Sequence, residues 1–412
     1  MKYGVIGEHL PHSFSKEIHG KIGDYVYDIC EIAPDKLGEF FEKKDFYGIN
    51  VTIPYKEAVI PYLDEISDSA RRIGAVNTIV NKNGRLYGYN TDYMGLRALI
   101  LRNGIDVKDK KALIFGGGGT AKTGHCVLTD LGAREIIHVG RNPAKCDVLQ
   151  GDVAELHSNA EFILNTTPVG MFPENDGKII DISKFPKLIG LIDAVYNPLR
   201  TNLVLDALEK GIKSEAGLYM LVSQAVFASE LFFETTYDPS VCENIFNELW
   251  KQKENVVLVG MPSSGKTTVG KELARITGKS FCDTDDEIVK RIGTDIPSFF
   301  KEQGEAEFRN IESEAVAEVS KKNGQIIATG GGAVLKSENV RGLKQNGRIY
   351  FLDRDPDLLT PTGTRPLSSS YEALKKRYEE RYGIYVGSAD VHVSANGTVD
   401  SVAQFIKGEF YK

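Results

Sequence analysis

Apolar positions along this chain come in short blocks that alternate with amphipathic stretches. "KYGVIG" (2–7) and "FYGINVTIP" (46–54) are dense apolar runs of the kind that forms buried strands, whereas "SKEIHGKIG" (15–23) and "DKLGEFFEKK" (35–44) between them place their apolar residues at helical spacing. Such alternation predicts a parallel α/β sheet. A second unit opens at Lys111: "KALIF" (111–115) reads as a strand that ends in glycines, "AKTGHCVLTDLGA" (121–133) has helical character, and "EIIHVG" (135–140) is the next strand. Further strands are predicted at "FILNTT" (162–167) and "LIGLIDAVY" (188–196). Residues 217–252 read as two helices, the second with Asp238 as N-cap and Pro239 at its first position. Only "KQKEN" (251–255) lies between them and the strand "NVVLVG" (255–260), after which α/β alternation resumes. The two halves are therefore expected to be joined without a flexible tether.

Composition narrows the class of ligand. With 412 residues, 42% hydrophobic and 26% charged, the chain has the core of an ordinary two- or three-domain globular protein. A formal net charge of -7 argues against nucleic acid or an anionic membrane as partner and toward small molecules. Five scattered cysteines show neither a C-x-x-C pair nor metal-ligand spacing, and are read as reduced. No signal-like or membrane-length apolar run is present, so a cytoplasmic location is expected.

Two glycine loops carry the candidate chemistry. In "IFGGGGTAKTG" (114–124), Gly116, Gly118 and Ala121 fit G-x-G-x-x-G/A between a strand and a helix, where backbone N–H groups can hold a pyrophosphate. Gly117, Gly119 and Thr120 complete that loop. After the second strand, where a carboxylate would select NAD, stands Arg141, with Lys145 one helical turn later; two cations favour the 2′-phosphate of NADP. "GMPSSGKT" (260–267) is a Walker A loop for ATP or GTP. Gly260, Ser263, Ser264, Gly265 and Thr268 shape the phosphate cradle, Lys266 reaches the β and γ phosphates, and Thr267 ligates Mg²⁺.

Downstream, "FCDTDDEI" (281–288) offers Asp283 and Asp285 on alternate positions of a strand end, one for Mg²⁺ through water and one to orient an attacking hydroxyl. "GEAEFRNIE" (304–312) supplies Arg309 with Glu312. Gly330, Gly331 and Gly332 permit close backbone approach to a ligand, and "TPTGTRPLSSSYE" (360–372), around Arg365, reads as a lid. In the N-terminal third, Ser13, Ser15, Asn50, Thr52, Lys56, Asn77, Asn90 and Asp92 cluster at strand ends and suit a small polyhydroxylated acid. Lys56 could give a proton to a carbonyl oxygen as hydride arrives, held by Asp92.

"HSFS", "NVTIPYK", "GAVNT", "NTD", "GGGGTAK", "GRN", "VYNP" and "LVSQA" follow the order and spacing of shikimate dehydrogenases, which residues 1 to about 252 resemble. The resemblance implies that Ser13, Ser15, Thr52, Asn77, Asp92 and Gln224 bind shikimate, that Lys56 and Asp92 are the catalytic pair, and that Tyr196 lies near the substrate. It also implies a shikimate-binding domain over 1–100, completed by helices from about 210–252, around a Rossmann-type NADP domain over 101–209. Two positions depart from the family: Gly117, commonly alanine, and Lys122, commonly arginine.

From about Asn255 onward the chain resembles shikimate kinase, a P-loop α/β domain (255–412) with a parallel sheet. That resemblance implies Asp285, Arg309, Gly331, Gly332 and Arg381 around shikimate, and Lys266, Thr267, Asp283 and Arg365 around ATP and Mg²⁺; Lys266, Asp285 and Arg365 are then catalytic. Tyr382 and Gly383 stand where the family commonly has asparagine and proline. The expectation is a bifunctional enzyme that reduces 3-dehydroshikimate with NADPH and phosphorylates the resulting shikimate with MgATP. The alternatives are an NAD-dependent quinate/shikimate oxidoreductase in the first half, or one half acting as a ligand sensor without turnover.

Overall fold

The apolar blocks form strands that assemble into three sheets. The computed structural model describes residues 1–10, 14–359 and 371–412. Two compact units result: Met1–Asn197 with Leu203–Glu248, and Pro198–Asn202 with Leu249–Lys412.

In the first unit, β1 (Tyr3–Gly7), β2 (Tyr27–Glu31), β3 (Gly48–Val51), β4 (Glu65–Ile66), β5 (Thr78–Lys82) and β6 (Arg85–Tyr89) make a sheet of order β2-β1-β3-β5-β6-β4. This sheet is mixed rather than purely parallel, because β5 runs antiparallel to both β3 and β6. The cause is local: Asn83 and Gly84 sit at φ 55° and 86° in a two-residue hairpin turn, a conformation that Asn-Gly adopts readily. The same unit carries β7 (Lys111–Phe115), β8 (Glu135–Gly140), β9 (Val148–Leu149), β10 (Phe162–Asn165), β11 (Gly190–Asp193) and β12 (Lys213–Ala216), in the order β12-β11-β10-β7-β8-β9. All neighbours in this second sheet are parallel. Its core is apolar throughout, with Leu113, Ile163, Leu191 and Ala207 fully buried.

The second unit has β13 (Asn255–Val259), β14 (Ser280–Asp283), β15 (Gln325–Ala328), β16 (Gly347–Asp353) and β17 (Val391–Ser394), all parallel, in the order β14-β15-β13-β16-β17. Separate apolar clusters form around Val257 and Phe351 and around Leu258 and Tyr350, as alternation along strands with both faces covered requires. The helix Ser240–Lys253 begins one residue beyond Pro239, and the Asp238 carboxylate accepts from the Ser240 N–H at 2.8 Å. Pro198–Asn202 is held by contacts within its unit: Arg200 donates to the carbonyls of Lys344 (3.0 Å) and Gly347 (3.3 Å) and pairs with the buried Glu254. All five cysteines are free, and among the described residues no helix is long and apolar enough to cross a membrane.

Candidate active sites

A cavity of about 600 Å³ in the first unit is lined by Ser15, Asn50, Thr52, Lys56, Asn77, Asp92, Tyr196 and Gln224. Ser15 opens the helix Ser15–Ile22, Thr52 follows β3, Lys56 lies in the turn beyond, Asp92 stands in the first turn of the helix Thr91–Arg102, and Gln224 is on the helix Leu218–Phe233. Ser13 lies outside the described residues. The Lys56 ammonium and the Asp92 carboxylate meet at 2.6 Å, both partly buried. Burial raises the pKa of Tyr196, which keeps its hydroxyl protonated, and its ring packs edge-on against Phe14 at 5.7 Å.

A buried hydrogen-bond lattice behind the cavity fixes these groups. Asn77 Oδ1 accepts from the Thr91 N–H at 2.7 Å and from the Thr78 and Thr91 hydroxyls, both at 3.2 Å. None of these bonds uses its amide nitrogen. Asn50 donates to the Asn77 carbonyl (3.3 Å) and to Thr78 Oγ1 (3.0 Å), and accepts from the Tyr27 hydroxyl (2.7 Å). Asn90 is the N-cap of the Asp92 helix, accepting from the Tyr93 N–H at 3.0 Å, which sets the height of Asp92 opposite Lys56. Asn90 therefore serves the backbone. Thr78 and Thr91, absent from the sequence-based site, are central to the lattice; the only sequence signal for them was their place beside Asn77 and Asp92.

The first glycine loop leaves β7 and enters the helix Gly119–Asp130. Gly116 holds φ 117°, and a Cβ there would lie 2.4 Å from Thr166 Oγ1, so only glycine fits. A Cβ at Gly118 or Gly119 would meet nothing within 4 Å, so the loop is open at the helix N-terminus. Arg141, just past β8, and Lys145 are exposed. They do not lie one helical turn apart. Residues 141–146 form a turn in which Asn142 accepts from Lys145 N (2.9 Å) and Ala144 N (2.9 Å), because Asn-Pro favours turn formation over helix. Lys122 pairs with Glu57, the neighbour of Lys56, at 2.8 Å.

In the second unit the Walker A loop joins β13 to the helix Lys266–Thr277. Gly260, Ser263 and Gly265 all take positive φ (147°, 66° and 94°), so the loop turns sharply at three points. Lys266 Nζ donates to the carbonyls of Gly260 (2.9 Å) and Met261 (2.8 Å). The Thr267 hydroxyl donates to Asp283 Oδ2 at 2.7 Å; hydroxyl and carboxylate together form a hard oxygen donor set of the kind Mg²⁺ takes beside nucleotide phosphates. These residues fit a magnesium nucleotide. The first-loop residues fit a dinucleotide pyrophosphate by the same open N–H geometry.

Asp283 and Asp285 do not share a strand. β14 ends at Asp283, and Asp285 lies in the first turn of the helix Thr284–Ile292, where Asp283 Oδ1 caps its N–H at 3.0 Å. A carboxylate at a strand end is a ready N-cap, so the helix starts there and interrupts the strand alternation. Arg309 and Glu312 project from the long helix Ile296–Ser320, beyond a break at Gly304 (φ 81°, ψ 173°). They pair at 2.6 Å, with Glu312 only 2% exposed, and Glu305 adds a second contact at 3.1 Å. Burial pushes the pKa of Glu312 up, against the pull of Arg309. For Arg309, burial works against the charge but is outweighed by Glu312 and Glu305. Gly330–Gly332 run beneath these groups: a Cβ at Gly330 would lie 2.7 Å from Asp285 Oδ1, and one at Gly332 would lie 2.0 Å from Arg309 Nη1. Arg381 Nη1 and the Tyr385 hydroxyl both donate to the Gly331 carbonyl, at 3.0 and 2.5 Å. Asp285, Arg309, Gly331, Gly332 and Arg381 thus converge, whereas Arg365 and the lid expected around it lie outside the described residues.

Comparison with known proteins bears on both units. Residues 5–79 match the shikimate dehydrogenase substrate binding domain, and residues 262–408 match shikimate kinase. Shikimate dehydrogenase (NADP(+)) of Clostridium perfringens (strain SM101 / Type A) is 38% identical over 266 residues, 60% of this chain and 97% of that protein. Among solved structures, a chorismate mutase/shikimate 5-dehydrogenase fusion protein from Clostridium acetobutylicum superposes with a TM-score of 0.56 at 35% identity, over 60% of this chain and 96% of that one. Shikimate 5-dehydrogenase from Thermus thermophilus, solved in complex with NADP(H) and shikimate, gives 0.54 at 29% identity, over 60% and 99%. The chain belongs to the shikimate dehydrogenase family and, with a shikimate kinase domain in its C-terminal part, is a bifunctional enzyme of the shikimate pathway.

Proposed function

We propose that the first unit reduces the carbonyl of 3-dehydroshikimate to give shikimate and that the second transfers a phosphoryl group to the 3-hydroxyl of the same molecule. NADPH would supply the hydride and MgATP the phosphoryl group. Lys56 gives the proton to the carbonyl oxygen, and Asp92, at 2.6 Å, holds the ammonium in line. Ser15, Thr52, Asn77 and Gln224 orient the ring hydroxyls and carboxylate from the cavity wall, with Ser13 assigned to the same group by sequence. Gly116–Ala121 bind the pyrophosphate, and Arg141 with Lys145 the 2′-phosphate.

In the second unit Lys266 would reach the β and γ phosphates, Thr267 and Asp283 would hold the magnesium, and Asp285 would accept the proton of the attacking hydroxyl. Arg309 and Arg381 neutralise the substrate carboxylate, and Arg365 is assigned to the transferred phosphoryl group from sequence. The observation that carries the proposal is the Lys56–Asp92 pair, set in one cavity with six further polar residues of the predicted site. The test is a single-pot assay with 3-dehydroshikimate, NADPH and MgATP, resolving shikimate from shikimate 3-phosphate by mass. NADPH oxidation matched by phosphorylated product is expected; accumulation of shikimate despite ATP would make the second unit a sensor or a kinase for another acceptor. The exposed Arg141, with no carboxylate at the end of β8, favours NADP over the NAD-dependent quinate/shikimate alternative. A kcat/KM higher for NADH than for NADPH would reverse that choice.

A further inference from the structure

We infer that Tyr385 is a positioning residue of the kinase site, fixing the peptide between Gly331 and Gly332 so that its N–H faces the phosphoryl acceptor; this rests on reading the second unit as a shikimate kinase. A peptide flanked by glycine on both sides has no Cβ to resist rotation of its plane, so an external constraint must set its orientation. Here the constraint is double. The Gly331 carbonyl accepts from the Tyr385 hydroxyl at 2.5 Å and from Arg381 Nη1 at 3.0 Å. In a planar trans peptide the N–H points opposite the C=O, so pinning the Gly331 carbonyl toward Tyr385 turns the Gly332 N–H to the other side. Gly332 is buried beneath the Arg309 guanidinium, and its N–H has no acceptor among the described residues. A buried donor left without a partner is costly, and an oxygen of the bound acceptor would satisfy it.

Tyr385 suits this role because it is itself immobile. The side chain is fully buried, stacks on Phe351 at 5.1 Å and 12°, and projects from the same helix face as Arg381, four residues earlier. Burial raises its pKa, so the hydroxyl remains a donor. Arg381 cannot replace it: a guanidinium drawn toward a substrate carboxylate loosens its hold on Gly331 when the amide is needed, whereas the tyrosine has no competing anion.

The test is Tyr385→Phe in the full chain, which removes one oxygen and keeps the stack on Phe351. The KM for shikimate in the kinase reaction should rise about 3- to 10-fold, the loss of one hydrogen bond's worth of orientation. The KM for ATP and the dehydrogenase rate of the same preparation should stay at wild-type values. In a ¹⁵N-glycine-labelled chain the Gly332 amide resonance should shift on adding shikimate to the wild type and shift less in the variant. Equal changes in both Michaelis constants, or none in either, would overturn the inference while leaving the proposed kinase reaction in place. If the wild-type chain fails to phosphorylate shikimate, both fall together.

Discussion

Gly332→Ala isolates how tightly the acceptor site is built. The residue has φ -106° and ψ -7°, which alanine adopts, so the backbone is no obstacle. The obstacle is Arg309: the new Cβ would lie 2.0 Å from Nη1 and 2.5 Å from Cζ, and the guanidinium must withdraw by about 1.5 Å to reach ordinary contact. That movement breaks its 2.6 Å bond to Glu312, which is buried and whose pKa burial already raises. Rather than remain as an unpaired buried anion, Glu312 would take a proton. From its ordinary value of 4.5, doing so at pH 7 costs about 3 kcal/mol, at about 1.36 kcal/mol per pH unit. The penalty should shrink as pH falls, since the proton becomes easier to acquire, and approach zero near pH 4.5. Displacing Arg309 by more than an ångström should cost about 100-fold in kinase kcat/KM for shikimate. Thermal melts at pH 7 and pH 5, with a coupled kinase assay and the dehydrogenase rate as internal standard, check all three parts. A kinase kcat/KM within twofold of wild type, or a pH-independent loss of stability, would refute the reasoning.

Three further outcomes are expected. Lys56→Met should lower the dehydrogenase kcat by about 10²- to 10⁴-fold while the kinase rate on added shikimate stays unchanged; equal loss of both activities would contradict separate sites. His19 is fully buried, and burial lowers its pKa from 6.5 to about 3, so the fold holds it neutral while the unfolded chain protonates it below pH 6.5. The unfolded state then binds the extra proton, and His19 makes the first unit lose stability as pH falls from 6.5 toward 3, by up to about 1.4 kcal/mol per unit. Urea titrations should show this slope reduced in His19→Gln, and an unchanged slope would place the acid sensitivity elsewhere. Arg200→Ala should lower the melting temperature of the second unit, because it removes the nearer ion pair of Glu254, 1% exposed, and leaves Arg348 at 3.6 Å; the cost is about 3 kcal/mol.

Much of the architecture was legible because the signals were local. "KALIF" and "EIIHVG" match β7 and β8 residue for residue, the first as a fully buried run and the second as a partly buried β-branched one. The hairpin between β5 and β6 was equally local, in "NKNGRLYGY", yet alternation of strands and helices drew the expectation toward a parallel sheet. Asp285 was misplaced for a different reason: a run of acidic residues after a strand extends the period of two on paper, and only the cap formed by Asp283 decides that a helix begins. Residues of the proposed sites that announce themselves by type, such as Lys56, Asp92, Lys266 and Arg309, could be named from the sequence. Thr78 and Thr91, which brace the Asn77 side chain, and Tyr385, which acts through a main-chain carbonyl, carry no such mark. A hydroxyl that braces another residue is, in the sequence, a threonine or tyrosine like any other.

The two phosphate-binding loops show why one chain needs two solutions to one physical problem. Each follows the first strand of an all-parallel sheet, β7 or β13, and in both sheets that strand is interior, with β10 and β8 beside β7 and β15 and β16 beside β13. The loops then diverge. At Gly118 and Gly119 an added Cβ would meet nothing within 4 Å, whereas at Gly116, the one positive-φ residue of this loop, it would lie 2.4 Å from Thr166 Oγ1. At Gly260 a Cβ would lie 2.7 Å from the Leu352 carbonyl, and the chain turns through three positive-φ residues before Lys266. As the proposed ATP site, that more strongly turned loop needs a lysine because a transferred phosphoryl group develops charge that N–H dipoles alone stabilise poorly. Hydride delivery places no such charge on the phosphates, and the first loop contains no lysine before Lys122, whose ammonium is turned away to Glu57. The difference between the loops therefore follows from where charge changes in each reaction.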